Sequence, residues 1–457
     1  MPRQTVVAEF EWAAWLAAVL LALSIVLGGG GSPAPLLEVA LQCCATLAAA
    51  AWLFANRDGL GRVPARAWWL AGLIALLPAL QLIPLPPALW QGLPGRADQR
   101  AALDLVAAGD SWRALTLSPP RTVASLLAAL AAGLSLVMAA SLGERGRMRL
   151  ITVVGALGLA TLVVGAAQLS GGSGNPARFF DPEEIFLTGF QANHNSTADV
   201  ILIAMIALAA VLRNWLRRGA ITLTSLQLAG VAVVADGVLV LGLFLAGSRA
   251  GLALLPLALL FQFLILQPGT RLPWGKLGLS AATAAGLGGG ALFLLRDNRA
   301  IAAVLNRFTL SGEFRPELWK DSLHALGQYW PAGSGQGTFV PVMLAAERLE
   351  VVDPTLPNRA HNDYLELAIG GGLPGAIVLA AIAALLLSAL WRALRASHKV
   401  PREQVLFAAG TLAIVALHSL VDYPLRSMAL AAIAATAAGL LIPARQPEPE
   451  QLEGSRP

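Results

Sequence analysis

Five short polar segments interrupt a sequence otherwise dominated by aliphatic residues: Asn193-His194-Asn195, Ser248-Arg249, Arg315 to Asp321, Arg359 to Glu366, and His418 to Arg426. Arg249 is flanked by Gly247, Ser248, Ala250 and Gly251, with long apolar stretches on either side. A guanidinium so close to hydrocarbon is costly unless it snorkels or meets an anion, and the small neighbours allow a bulky anion to approach. Arg315 offers a second guanidinium on a loop. His361 opens the run His-Asn-Asp-Tyr-Leu-Glu, where a neutral imidazole is suited to take a proton near neutral pH. Asn362 or Asp363 is placed to cap the helix that follows, but capping does not account for a histidine beside the cap. Asp181, Glu183 and Glu184 form either a divalent-ion site or a solvated acidic turn. Asp236, deep in an apolar run, is either a proton-relay group or one half of a buried pair. No Asp-x-Asp pair, His-x-x-His cluster or Walker-type glycine loop accompanies the outer-face segments, so no metal or nucleotide cofactor is expected.

The elements that must position these groups are legible in the composition. The 457 residues are 56% hydrophobic and 13% charged, with a mean hydropathy of +0.67, which excludes a single water-soluble globule. Cys43 and Cys44 are adjacent, so they support neither a disulfide framework nor a cysteine metal site. Apolar runs fall at about 10–28, 35–55, 67–84, 121–142, 149–170, 196–212, 222–246, 249–267, 276–295, 364–390, 403–420 and 424–442. Each is long enough for a helix to cross about 30 Å of hydrocarbon. The fold class is thus an all-α polytopic membrane protein with about twelve transmembrane helices. The first run, Trp12 to Leu27, follows Arg3, Glu9 and Glu11 and lacks a small-residue cleavage site, so it reads as a retained span.

The positive-inside rule then orients the chain. With the N-terminus inside, 18 of the 32 basic residues fall on the cytoplasmic side, against Arg178, Arg249 and Arg426 in the short outer loops. Both termini are expected inside and the polar segments converge on the outer face. The net charge of +5 is therefore topological, and no nucleic-acid site is read from it. Trp215, Trp274 and Trp391 fall at inner boundaries, as interfacial anchors do. The organisation expected is transmembrane helices 1–9 over 1–295, a periplasmic loop over 296–363, helices 10–12 over 364–442 and a disordered cytoplasmic tail over 443–457. The Pro-rich outer segment 85–120 and the 296–363 loop are too long to be mere connections. The second should hold short interfacial helices, one opening at Pro316 and one at about 338–349, separated by a Gly-Ser-Gly-Gln-Gly turn at 333–337.

Several of these stretches together resemble the signature of the bacterial O-antigen ligase and polymerase family. They are Arg359 to Leu367 followed by Gly371-Gly372-Leu373-Pro374-Gly375; Gly247 to Gly251; Arg315 with Leu318-Trp319; Gly333 to Phe339; and Leu417 to Pro424. The N-terminal 180 residues match only in hydropathy. Relatives commonly carry an acidic residue where this chain has Gly370. The resemblance implies a C-type glycosyltransferase-like enzyme that moves a glycan from undecaprenyl pyrophosphate to an acceptor on the periplasmic face of the inner membrane. In that role Arg249 and Arg315 would neutralise the pyrophosphate and His361 would be the base, with inversion at the anomeric carbon. Arg359, as a third arginine, and Asn362, Tyr364, His194, His418 and Asp422 would line the substrate site. Implied partners are the lipid-linked donor, a lipid A-core or glycan acceptor and membrane lipids. Ligation onto lipid A-core is the leading expectation, and polymerisation with the same donor is the alternative. A lipid or polysaccharide transporter is the different-class alternative, disfavoured because the polar residues gather at one face and no paired broken helices appear.

Overall fold

The computed structural model describes residues 2–31, 35–55, 63–171, 175–181, 183–267, 286, 290, 314–352, 356–395 and 400–443. The expected span 276–295, apart from 286 and 290, lies outside these residues, as do Trp274 and the tail beyond 443. The other eleven expected spans coincide with helices: α1 (Pro2–Leu27), α2 (Pro35–Ala55), α3 (Ala65–Gln81), then α6 to α10, and α13 to α15. Here α6 is Pro119–Ser141, α7 Glu144–Ser170, α8 His194–Arg217, α9 Ser225–Leu245 and α10 Arg249–Leu266. Near the C-terminus α13 is Asp363–Arg395, α14 Arg402–His418 and α15 Met428–Leu440. Seven of these helices are long and apolar enough to cross a bilayer, and α1, α3 and α15 contain shorter apolar stretches. The protein is a polytopic helical membrane protein.

α8 is the axis of the bundle. Ala198 and Val200 through Ala207 are at most 1% exposed, so this helix is covered on every side, whereas an outer helix buries a single stripe. Its 24 residues give about 36 Å of length at 1.5 Å per residue, enough to cross hydrocarbon. It packs against α7, α10 and α14, while α15 lies along α6. Small residues set the close approaches: a Cβ on Gly158 of α7 would sit 2.2 Å from Cβ of Ala204, and one on Gly439 of α15 would sit 2.4 Å from the Leu136 carbonyl. Association through small residues is the packing mode expected where lipid removes the hydrophobic driving force between helices.

At the end of α8 opposite His194, Glu144 pairs with Arg217 and Arg218, and Arg217 also pairs with Glu403. The buried Arg147 donates to the carbonyls of Ala140, Leu142, Leu440 and Ile442, satisfying orphan acceptors at the ends of α6 and α15. Trp391 is 58% exposed near this end, with the Arg395 guanidinium 4.1 Å from its ring centroid. Asp236 of α9 accepts a part-buried hydrogen bond from Gln262 of α10 at 2.8 Å, linking the two helices.

The outer segments depart from pure helix. Residues 84–118 hold two short helices, α4 (Pro87–Trp90) and α5 (Ala97–Asp104), and a two-residue antiparallel ladder of β1 (Pro84–Leu85) with β2 (Arg113–Ala114). The expected interfacial helices are α11 (Arg315–Tyr329), with Pro316 in its first turn, and α12 (Phe339–Ala346). The final span starts later than the sequence suggests: a 3-10 turn, Pro424–Arg426, precedes α15. The proline at 424 suits a tight turn better than a helix interior.

Candidate active site

The site forms where the N-terminus of α13, the turn between α14 and α15, and the N-terminus of α8 meet. Asn362 is the cap of α13, its Oδ1 accepting from the Leu365 amide at 3.0 Å. His361 lies just outside the helix with φ +47°, a left-handed conformation uncommon outside glycine. The preceding residue is anchored, because Trp319 Nε1 of α11 donates to the Ala360 carbonyl at 2.9 Å. The Asp363 amide reaches the carbonyls of Ser419 and Asp422, fastening α13 to the α14–α15 turn.

In this setting His361 Nδ1 stands 3.1 Å from Asp422 Oδ1. Asn193 Nδ2 reaches Asp422 Oδ2 at 3.4 Å, so both carboxylate oxygens are engaged. Burial alone would raise the Asp422 carboxyl, but the hydrogen bond from His361 and the charges of His361, His418 and Arg315 bring it below the usual carboxylate range. Whenever the imidazole is neutral, an ionised Asp422 keeps its proton on Nδ1 and leaves Nε2 as the basic nitrogen. The imidazole is also held between rings, edge-on to Phe314 at 5.1 Å and to Tyr423 at 4.8 Å between centroids. The Tyr423 phenol is pushed up to about 12, first by burial and then by the Asp422 charge, so it stays neutral. His361 retains 16% side-chain exposure, against 3% for Asp422. The dyad therefore has one accessible face, and it belongs to the histidine.

A buried ion network underlies the dyad. Arg359 pairs with Glu366 at 3.0 Å and donates to the Gly31 carbonyl, and Arg426 pairs with Asp363 and Glu366. Asp363 also accepts from Ser419 Oγ and the Leu425 amide. Two arginines and two carboxylates thus neutralise one another, the condition under which buried charge is tolerated. Behind Asp422, His418 Nδ1 and Asp199 Oδ1 are 2.6 Å apart, and their side chains are at most 1% exposed. His418 Nε2 and Asp199 Oδ2 have no hydrogen-bond partner among the described residues.

The residues expected to line a substrate site are thereby placed. His361 and Asp422 are brought together. Arg359, Asn362 and His418 are engaged as above, Tyr364 donates to the Ala416 carbonyl at 2.8 Å, and His194 Nδ1 lies 2.9 Å from the Ala246 carbonyl. Each has an internal partner that secures a helix end or a turn. Arg315, on the first turn of α11, acts electrostatically on both Asp422 and His418 and shares a helix face with Trp319. Arg249 opens α10, where Ser248 Oγ accepts from the Gly251 amide as the cap. That corner adjoins the site through the His194–Ala246 contact. Among the described residues no group of three His, Cys, Asp or Glu converges on one point. Asp181 Oδ1 accepts from the Glu183 amide, and Glu184 Oε1 accepts from the amides of Ile185 and Phe186.

The Gly-Ser-Gly-Gln-Gly turn docks on a break in α13. Gly333, Gly335 and Gly337 have positive φ, as does Gly372, the one non-helical residue inside α13. The amides of Ser334 and Gly335 donate to the carbonyls of Ile369 and Gly370, and Gln81 Nε2 joins them on Gly370 at 2.8 Å. A Cβ at Gly370 would lie 2.8 Å from the Gly335 carbonyl oxygen. The absence of an acidic side chain there thus has a steric reason: the turn occupies the space.

Sequence reasoning passed over Asn193, Asp199, Asp363, Glu366, Phe314, Tyr423 and Arg426 as site residues. All but Asp199 and Phe314 lie in the polar segments it singled out. Asp199 carried a usable signal, an ionisable residue inside an apolar span. Phe314 carried none, since its ring matters only through its place beside His361.

Fold and site together define a polytopic membrane protein with a histidine–aspartate centre at one end of its bundle. Residues 235–380 match the family model described as O-Antigen ligase, in keeping with the resemblance of the sequence motifs to the O-antigen ligase and polymerase family. The match covers about a third of the chain and includes Arg249, Arg315, Arg359 and His361, whereas Asp422 lies beyond it. Comparison with curated proteins gives no match.

Proposed function

We propose that this protein is an O-antigen ligase, transferring a glycan from undecaprenyl pyrophosphate to a sugar hydroxyl of lipid A-core at the periplasmic face of the inner membrane. The observation that carries this reading is the His361–Asp422 dyad, with its open face on the histidine and Arg315 within electrostatic reach. Asp422 holds the imidazole with Nε2 as base, and Nε2 takes the proton of the acceptor hydroxyl as its oxygen attacks the anomeric carbon. The new C–O bond forms as the bond to the pyrophosphate oxygen breaks on the opposite face, which inverts the centre. The departing electron pair stays on the pyrophosphate, where Arg249 and Arg315 neutralise the charge through bidentate hydrogen bonds. The proton on the imidazolium then passes to the pyrophosphate or to water. Arg359, Asn362, Tyr364, His194 and His418 act as positioning residues through the partners described above.

Purified enzyme in liposomes, given lipid-linked glycan and lipopolysaccharide that lacks O-antigen, should produce capped lipopolysaccharide. Arg249→Lys and Arg315→Lys should each slow the reaction at least tenfold at matched folded yield, because an ammonium cannot reproduce the planar fork. Near-normal turnover of both lysine variants would refute the pyrophosphate role. In a deletion strain, loss of capping with retained lipid-linked polymer identifies ligation, and capping by single repeats identifies polymerisation instead.

A further inference from the structure

The four glycines at 28–31, which follow α1, take no part in the dyad, yet three separate segments of the site are tied to their carbonyls. The Gly28 carbonyl accepts from the Ala429 amide at 3.0 Å and from Ser427 Oγ at 3.1 Å. The Gly29 carbonyl accepts from the Ala192 amide at 2.9 Å. The Gly31 carbonyl accepts from Nε and Nη2 of Arg359 at 3.3 and 3.2 Å. Gln191 closes the arrangement, its Nε2 donating to the Ile25 carbonyl at 3.4 Å and its Oε1 lying 3.3 Å from Ser427 Oγ. Ala192 is next to Asn193, Arg359 precedes His361 by two residues, and Ser427 follows Asp422 by five. Each donor thus belongs to the short stretch that presents one member of the hydrogen-bonded set Asn193, Asp422 and His361.

The contacts of this run require glycine. A Cβ on Gly29 would lie 1.9 Å from the Phe190 carbonyl oxygen, and one on Gly28 would lie 2.5 Å from the Ser24 carbonyl oxygen and 2.9 Å from the Ala429 nitrogen. Backbone meets backbone here, so a side chain would have to push whole segments apart. Such a shift passes directly to the dyad. The separation of 3.1 Å between His361 Nδ1 and Asp422 Oδ1 is near the long end of the range for such a bond, and a further displacement of about half an ångström would lose it. The run also lies outside residues 235–380, so the site draws on a part of the chain that the family match does not cover.

We infer that the glycine run 28–31 is a positioning element of the reaction centre, a strap whose carbonyls fix the distance between His361 and Asp422. The inference rests on the transferase reading for its kinetic consequences, and one arm of its test needs no turnover. Gly29→Ala is the strong perturbation, and Ser427→Ala, which removes one hydroxyl and adds no bulk, is the mild one that carries the test if the first does not fold. At matched folded yield, Gly29→Ala should lower kcat by about 10²-fold and Ser427→Ala by roughly three- to tenfold, with KM for both substrates within about twofold of wild type. Gly72→Ala, whose Cβ would meet nothing within 4 Å, should change neither. Combined with Asp422→Asn, Ser427→Ala should cost almost nothing further, because the contact it protects is already gone, whereas a general loss of structure would add in full. Nitrogen NMR of isotope-labelled histidine, with the His361 signals assigned by their absence in His361→Gln, reads the dyad directly. The neutral wild-type imidazole should carry its proton on Nδ1, and both strap variants should populate the Nε2–H form, as Asp422→Asn does. An unchanged tautomer, an unchanged kcat or a full further loss in the Asp422→Asn background overturns the inference. In a protein that transfers no glycan, a shifted tautomer would uphold the strap while the transferase reading falls.

Discussion

His361 can serve as a base through only one nitrogen, because Nδ1 faces Asp422. Replacing His361 with Ala or Gln should therefore lower turnover by about 10²–10⁴-fold, the usual worth of a general base. Asp422→Asn is the sharper test. The amide keeps the shape but no longer compels the proton to stay on Nδ1, so a loss of similar order is expected with folded yield preserved. Turnover of Asp422→Asn within a few-fold of wild type would make the pair structural. The pH dependence carries a second sign. The Asp422 carboxyl is lowered in the folded protein, so the stability it contributes is fully present above the ordinary carboxylate range and is lost as pH falls through its lowered value. Thermal unfolding of detergent-solubilised protein should show that acid loss in wild type and less of it in Asp422→Asn.

The elements that hold the dyad depend on glycines that no periodicity argument would single out. Gly372 sits at φ 55°, ψ −147°, a region essentially reserved for glycine, and a Cβ there would lie 2.1 Å from the Pro331 carbonyl oxygen. Gly372→Ala should destabilise the protein by about 1–3 kcal/mol from backbone strain alone. Because the turn at 333–337 docks on the same break, transfer should fall with it, whereas Gly327→Ala, with open space around its Cβ, should change neither. Denaturation midpoints and turnover of the two variants check this. Most of the helices were legible in the sequence because an apolar run bounded by charge or Gly-Pro has one solution in a bilayer; α2 and α10 fall within one residue of their expected limits. The joining of His361 to Asp422 was not legible, since 61 residues separate them and no local rule brings a helix cap to a particular inter-helix turn. The partner of Arg359 was not legible for a related reason: a charged residue in a motif looks available until Glu366, one helix turn into α13, is seen to engage it.

At the scale of the whole molecule, the polar groups separate into two ends. Glu144, Arg217, Arg218 and Glu403 gather at one end of α8, and Asn193, Asp422 and His361 at the other. The excess of basic residues expected in the cytoplasm coincides with the first end, so the second should face the periplasm. A single introduced cysteine can decide the orientation, but its position matters. Ser334, in the middle of the long loop, is fully buried and hydrogen-bonded to Thr338, so a thiol there would be shielded whichever way the protein faces. Leu349, just after α12, is 88% exposed and touches no part of the dyad or its ion network. In a background with Cys43 and Cys44 replaced by alanine, Leu349→Cys should react with a membrane-impermeant thiol reagent in cells whose outer membrane alone has been permeabilised. A cysteine in place of Arg218, at the opposite end of α8, should react only after the inner membrane is opened. The reverse pattern would place His361 in the cytoplasm and remove the periplasmic ligase reading along with it.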